Sequence, residues 1–240
     1  MSPPDLSVIV FALNEEENIP PVLRELAEWL RAHEPRSEIV FVDDGSADDT
    51  AGAAAGALEG FPHRIVQHVS NRGIGAALKT GVGASRGAWV TFMPADGQID
   101  PAAIATLRSA STDVDIVFSV YDHRDDGWDR TLLSAGVRGL IRVVHGVTMR
   151  SDGPYLIKRK IFLPAELPPD TFFLNFELPI LAMAAGLPHR VVTIACRPRL
   201  AGQSKSKSLQ RIVGVARDLA DLRRRRWRRA LRMWAGRSPR

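Results

Sequence analysis

The chain has 240 residues, enough for one sizeable α/β domain with a full core, and its single cysteine (Cys196) excludes an internal disulfide and fits a reducing compartment. No apolar run approaches the ~18 residues of a spanning helix, and Met1-Ser2-Pro3-Pro4-Asp5 lacks the basic leader of a signal peptide, so no bilayer-crossing segment is expected. The net charge of +5 is uneven: residues 211–240 hold eleven Arg, no Lys and two acids, and subtracting that +9 leaves −4 for the body, which argues against a nucleic-acid surface beyond the tail.

Leu6-Ser7-Val8-Ile9-Val10-Phe11 reads as a buried strand. It runs into the acidic loop Asn14-Glu15-Glu16-Glu17-Asn18, where Asn18 is placed to cap a helix opening at Ile19-Pro20-Pro21. Leu23, Leu26, Trp29 and Leu30 mark one face of that helix. The acids serve either as simple caps or as the polar wall of a nucleotide's base or ribose. Residues 38–42 form a second strand, closed by Asp43-Asp44-Gly45-Ser46. Adjacent carboxylates there suit ribose hydroxyls or a uracil or guanine edge, while helix capping by Asp44 or Ser46 accounts for one acid and leaves Asp43. Asp48-Asp49-Thr50 leads into an alanine-rich helix ending near Gly60, and residues 64–69 give a third strand. The glycine-rich stretch 71–87 has neither the Walker spacing nor the position of a dinucleotide fingerprint. Its small residues predict a helix packed closely under the sheet.

Ala88-Trp89-Val90-Thr91-Phe92 is a further strand, followed by Met93-Pro94-Ala95-Asp96-Gly97-Gln98-Ile99-Asp100-Pro101. Ligands collect at the carboxyl ends of strands in an open α/β sheet. A carboxylate on that edge, with an amide two residues on, can hold a hard cation through oxygen. Asp100 is predicted to cap a helix starting at Pro101, and Asp96 is read as the metal ligand. The alternation of strand and helix to residue 100 predicts a parallel sheet with right-handed crossovers.

Residues 113–120 read as a strand, 121–129 as a polar loop and about 130–144 as a helix. A turn and short strand occupy 149–160. Residues 172–178 open an apolar helix reaching Gly186, in which Glu177 needs a partner, as a pocket wall or a structural ion pair. His189 to Cys196 is the last strand. Residues 197–208 are basic and rich in hydroxyls, the composition of a loop that closes on phosphates and equally of a solvated linker. In the tail, Trp227, Leu231 and Trp234 fall at i, i+4 and i+7, while Arg224, Arg225, Arg228, Arg229 and Arg232 largely occupy the rest. That pattern is an interfacial amphipathic helix. A disordered basic tail, nucleic-acid binding or docking on a membrane-protein partner are the alternatives.

Five of these stretches, in this order, resemble glycosyltransferase family 2, and within it the polyprenyl-phosphate (dolichol-phosphate) sugar synthases. They are the Asn14-Glu15-Glu16 opening, the Val42-Asp43-Asp44-Gly45-Ser46 turn, the Asn71-Arg72-Gly73 helix start, the Ala95-Asp96-Gly97-Gln98 turn and the Arg199-x-x-Gly202-x-Ser204-Lys205 loop. The resemblance covers about residues 6–207. It implies a GT-A-like α/β domain over 1–208, with a mainly parallel central sheet flanked by helices, followed by an Arg-rich helical tail over 209–240. It also implies inverting transfer of a sugar from a nucleotide-diphospho-sugar (GDP- or UDP-linked) to a polyprenyl phosphate. With a lipid-bound acceptor, the amphipathic tail and the acidic body, the expectation is a peripheral protein at the cytoplasmic face of a membrane, without nucleic acid. Phe11, Leu13, Glu15, Phe41, Asp43 and Ala95 are implied to line the nucleotide-sugar site. Asp96 and Gln98 are implied to hold Mg²⁺ or Mn²⁺. Arg199 and Lys205 are implied to act with Asp96 in catalysis by meeting the phosphates, and Arg124 stands about where the family has an arginine. Two departures stand out: Pro94 replaces the first acid of the usual Asp-x-Asp, and Leu13 replaces an aromatic. A saccharide-hydroxyl acceptor, with Asp152 as base, and a non-catalytic protein lacking that acid are the competing readings.

Overall fold

The apolar runs become strands covered on both faces, because alternate side chains of each face a different helical layer. In β1 (Leu6–Ala12), Val8 and Val10 join a core with Leu23, Leu26 and Leu30, while Ile9 faces the opposite core with Ala77 and Leu78. The other strands are β2 (Ser37–Asp43), β3 (His63–Gln67), β4 (Trp89–Pro94), β5 (Ile116–Tyr121), β6 (Leu156–Lys158) and β7 (His189–Ile194). The helices are α1 (Ile19–His33), α2 (Thr50–Ala57), α3 (Ile74–Ala84), α4 (Ala103–Ser109), α5 (Trp128–His145), α6 (Arg159–Phe162) and α7 (Leu174–Ala184). The computed structural model describes residues 3–122, 128–162, 174–197 and 217–226.

The seven strands form one sheet in the order β3-β2-β1-β4-β6-β5-β7. All pairings are parallel except those of β6, which runs antiparallel between β4 and β5. From β1 the chain winds outward through β2 and β3, then returns to the other side of β1 as β4. The switch point of this doubly wound sheet is therefore the crevice at the carboxyl ends of β1 and β4, where open α/β sheets take their ligands. The expected α/β architecture with a mainly parallel sheet is what the chain adopts.

The small residues of α3 have the expected role. A Cβ on Gly81 would stand 2.4 Å from Ile9 Cγ2, so only glycine lets α3 lie this close to β1. Two capping expectations change. Asn18 makes no side-chain cap to α1; its amide instead donates to Glu15 (2.9 Å). The cap of α2 is Asp49, which accepts from Gly52 N, rather than Asp44 or Ser46. Asp100 accepts from Ala102 N at 2.8 Å, in the turn that precedes α4.

Residues 217–226 are helical and lie against the body. Leu219 and Leu222 are buried in a cluster with Ile141, Met149 and Ile180. Glu177 is fully buried and takes the Arg225 guanidinium in a two-point fork, at 2.6 and 3.0 Å. Of its two sequence readings, the ion pair is realised. Arg226 donates to the carbonyl (3.4 Å) and Nδ1 (3.3 Å) of buried His145, whose Nε2 stands 3.2 Å from Leu219 O. The neutral ring suits these partners. Burial, then the Arg226 charge, hold the His145 pKa below its ordinary value. The unfolded chain therefore takes up a proton near pH 6.5 that the folded chain still refuses. Stability is expected to be full above that pH and to fall as the pH drops below it. Urea midpoints at neutral and mildly acid pH check this: the acid-side loss should shrink in His145→Gln.

Candidate functional site

The loops at the carboxyl edge are built before any ligand arrives. The loop after β1 and the loop after β2 are joined by five hydrogen bonds: Asn14 N to Ser46 Oγ, Ala47 N to Asn14 Oδ1, Glu15 N to Thr50 Oγ1, Glu16 N to Asp48 and Asp49 N to Glu16. In two of the five a carboxylate, of Asp48 or Glu16, accepts from a backbone N–H that the turns leave unpaired. The Thr50 hydroxyl, donating to Asp48, lowers the pKa of that carboxyl.

The neighbouring acids Asp43, which ends β2, and Asp44, which follows it, hold different partners. Asp43 is almost wholly buried and accepts from Ser46 N (3.0 Å) and Ser46 Oγ (2.5 Å) through Oδ1, and from Gln67 Nε2 (3.3 Å) through Oδ2. Asp44 accepts from Arg72 N (3.0 Å), Gly73 N (2.8 Å) and His68 Nδ1 (2.7 Å), so it fixes the start of α3. Gly45 makes the close approach possible: its φ is 81°, and a Cβ there would lie 2.4 Å from the Ser70 backbone.

Across β1 stands the turn after β4. Phe11 pairs with Val42 on one side and Pro94 on the other, and Ala12 with Asp43. Asp43 and the end of β4 are therefore two strand spacings apart, roughly 10 Å, with β1 between them. Asp96 is half-buried and accepts from Gln98 N (3.2 Å) across Gly97, whose φ is 68°. Phe11 and Leu13 are half-buried at the edge, and Phe11 stacks on Phe92 with centroids 6.3 Å apart. Glu15 is half-buried beside them.

Two residues of the implied nucleotide wall lie beneath the edge instead. Phe41 is fully buried and Ala95 nearly so, both in the core shared with α1 and α2, because both side chains fall on that face of their strand or turn. Phe41 offers a ligand no surface; it supports the edge from below. Arg124, Arg199, Lys205, Trp227, Leu231 and Trp234 lie outside the described residues.

Sequence reasoning gave Arg197 no individual role. Its N donates to Gln98 O at 2.7 Å, and its guanidinium joins Glu25 (2.7 Å) and Asp100. The hydrogen bond its guanidinium donates to Glu25, reinforced by that to Asp100, raises its pKa. This clamp ties the end of the Asp96 turn to α1 through Arg197. Glu25 and Asp100 are 172 and 97 residues away, so no local signal could have paired them.

The profile of glycosyl transferase family 2 matches residues 7–173, more than half of the chain. The chain belongs to glycosyltransferase family 2. Among relatives of this family-2 chain, an undecaprenyl-phosphate 4-deoxy-4-formamido-L-arabinose transferase of Pseudomonas paraeruginosa is 32% identical over 221 residues, 89% of this chain and 63% of its own. The corresponding transferase of Sodalis glossinidius is 32% identical over 62% of this chain and 46% of its own. A dodecaprenyl-phosphate galacturonate synthase of Rhizobium johnstonii is 31% identical over the same shares, 62% and 46%. The family-2 chain thus spans less than two thirds of the length of these relatives. In fold it is similar to glucosyl-3-phosphoglycerate synthase of Mycobacterium tuberculosis, crystallised with Mn²⁺, UDP and phosphoglyceric acid. That likeness has a TM-score of 0.70 at 21% identity, over 91% of this chain and 77% of the other.

The donor set of the Asp96 turn decides what cation it could take. Among the described residues no group of three or more His, Cys, Asp or Glu side chains could hold a metal ion. One half-buried carboxylate with a neighbouring amide, both oxygen donors, suits a hard cation that keeps waters and leans on substrate phosphates, as Mg²⁺ does.

Proposed function

We propose that this family-2 chain transfers a sugar, with inversion, from a nucleotide-diphospho-sugar to a polyprenyl phosphate. The observation that carries the reading is the placement of Asp43 and Asp96 on either side of β1 at the switch point. A nucleoside can sit against the Asp43 side and its diphosphate reach the Asp96 turn. The names of the relatives supply the acceptor class. Asp96 and Gln98 are the residues that would hold Mg²⁺ or Mn²⁺, whose charge would stabilise the leaving diphosphate. Arg199 and Lys205 follow the anchored Arg197 and are assigned to the same phosphates. In the reaction, an oxygen of the acceptor phosphate attacks the anomeric carbon. The bond from that carbon to the diphosphate oxygen breaks, and its electron pair leaves with the nucleoside diphosphate. A phosphate monoester, with a second pKa near 6, is largely a dianion at neutral pH. No protein base is then required.

The decisive assay incubates purified protein and Mg²⁺ or Mn²⁺ with radiolabelled UDP- and GDP-sugars and undecaprenyl phosphate. Label is expected in the lipid phase. Label only in an aqueous saccharide would overturn the reading in favour of a hydroxyl acceptor. That alternative needs a base, and Asp152, the candidate by position, is engaged: its two oxygens accept from Arg138 at 3.2 and 3.4 Å. Replacing Arg199 or Lys205 by alanine should lower kcat/KM roughly 10²-fold, the scale of losing one charge-stabilising donor. Thermal stability should barely move. Unchanged turnover in both variants would make 198–208 only a linker.

No helix among the described residues is long and apolar enough to cross a membrane. We assign membrane attachment to the basic tail, acting peripherally at the cytoplasmic face, either on lipid or through a membrane-protein partner. Arg225 is committed to Glu177, so the headgroup-binding cations are sought beyond it. Removing residues 227–240 keeps that ion pair. The truncated chain should stay folded and bind nucleotide-sugar, yet no longer sediment with anionic liposomes. Equal sedimentation of truncated and full-length chains would exclude direct lipid binding by this segment.

A further inference from the structure

An open cavity of about 370 Å³ lies beside the end of β5. Arg138 and Arg142 of α5 line one side, and Thr148, Arg150 and Asp152 of the segment leading into β6 line another. Three arginines and a single carboxylate thus line it. Asp152 is paired with Arg138, whereas Arg142 and Arg150 have no carboxylate partner among the described residues. A cavity lined by two arginines whose charge no carboxylate offsets suits a phosphate dianion.

The sheet register places this cavity relative to the donor site. Val90 of β4 and Ile116 of β5 both pair with Ile157 of β6. Four residues on, Pro94 and Val120 therefore stand at the same height on parallel strands, two spacings or roughly 10 Å apart. Val120 is part of the cavity wall, and Pro94 leads into the Asp96 turn. An anion in the cavity would share the carboxyl edge with the donor, about a sugar's reach away.

A second observation concerns the outer side of α5. Gly136, Leu140 and Val143 recur at i, i+4 and i+7 and are exposed, Leu140 to 40% and Val143 to 85%. Gly139, on the cavity wall, is the immediate chain neighbour of Leu140. A cationic cavity beside an exposed apolar strip matches a ligand with a phosphate head and a hydrocarbon chain.

We propose that Arg138, Arg142 and Arg150 form the subsite for the acceptor's phosphate, and that its prenyl chain leaves along Leu140 and Val143. The assignment rests on the transfer reaction proposed above. It is tested by calorimetric titration of the full chain with geranyl phosphate, with geraniol and inorganic phosphate as controls. Arg142→Gln/Arg150→Gln should weaken geranyl phosphate binding at least tenfold. Titration with UDP or GDP and Mg²⁺ should be unchanged, which shows that the variant is folded. Unchanged geranyl phosphate affinity overturns the subsite and leaves the reaction standing. Arginine-dependent binding in a wild type that puts no label into the lipid phase overturns the reaction and upholds an amphiphilic-phosphate site. Loss of sedimentation with phosphatidylglycerol vesicles, without loss of geranyl phosphate affinity, assigns the arginines to the bilayer surface and also overturns the subsite.

Discussion

Asp96→Asn is expected to lower kcat/KM by roughly 10²–10³-fold, the range seen when one preorganised charge-stabilising group is lost. The substitution keeps the oxygen that accepts from Gln98 N, so the turn should hold its shape and unfolding should barely shift. What it removes is charge: Asp96 is the only carboxylate in the turn 94–98, and an amide oxygen binds a hard cation less strongly. Turnover measured against Mg²⁺ or Mn²⁺ concentration is the check, and wild-type turnover at limiting metal would sink the metal assignment. The companion variant, Pro94→Asp, restores the acid that the family pattern has at that position. It should lower the metal concentration needed for half-maximal turnover. No change would mean that position 94, paired with Phe11 at the end of β4, points away from the cation.

Arg225→Ala should destabilise the protein by about 3–5 kcal/mol, the scale for stripping a buried charge of its partner. Glu177 is fully buried, and among the described residues Arg225 is its only ion-pair partner. Equilibrium unfolding in urea measures the loss. The paired variant Glu177→Leu/Arg225→Leu should recover most of it, because an apolar pair of similar volume removes the uncompensated charge instead of exposing it. A loss below about 1 kcal/mol in Arg225→Ala would mean that water reaches Glu177 once the guanidinium is gone. The same geometry joins the start of the basic tail to the body of the fold. Leu219 and Leu222 bury it against α5 and α7, so attachment of the tail and stability of the fold are coupled.

The elements themselves were legible because their causes are local. Residues 6–11 carry the apolar run of a strand covered on both faces, and residues 74–84 carry the small residues of a helix that must approach it. The strand-helix rhythm required parallel pairing, and parallel pairing put the polar turns at 13–17, 43–46 and 95–98 on one edge. The sequence by itself therefore determined the architecture and the position of Asp43 and Asp96 at the carboxyl edge of the sheet. Tertiary structure decided the rest. It set what each acid holds, since Asp44 takes Arg72, Gly73 and His68 while the more deeply buried Asp43 takes Ser46 and Gln67. It buried Phe41 beneath the carboxyl edge, slid β6 antiparallel between β4 and β5, and closed Arg197 on Glu25 and Asp100. It also brought Arg138, Arg142 and Arg150 to one cavity, from two segments with no shared pattern. The physical reason is one of range. Periodicity and turn chemistry act over a few residues, whereas the partner of a charge is chosen only when chain closure brings distant segments together and burial makes an unpaired group costly.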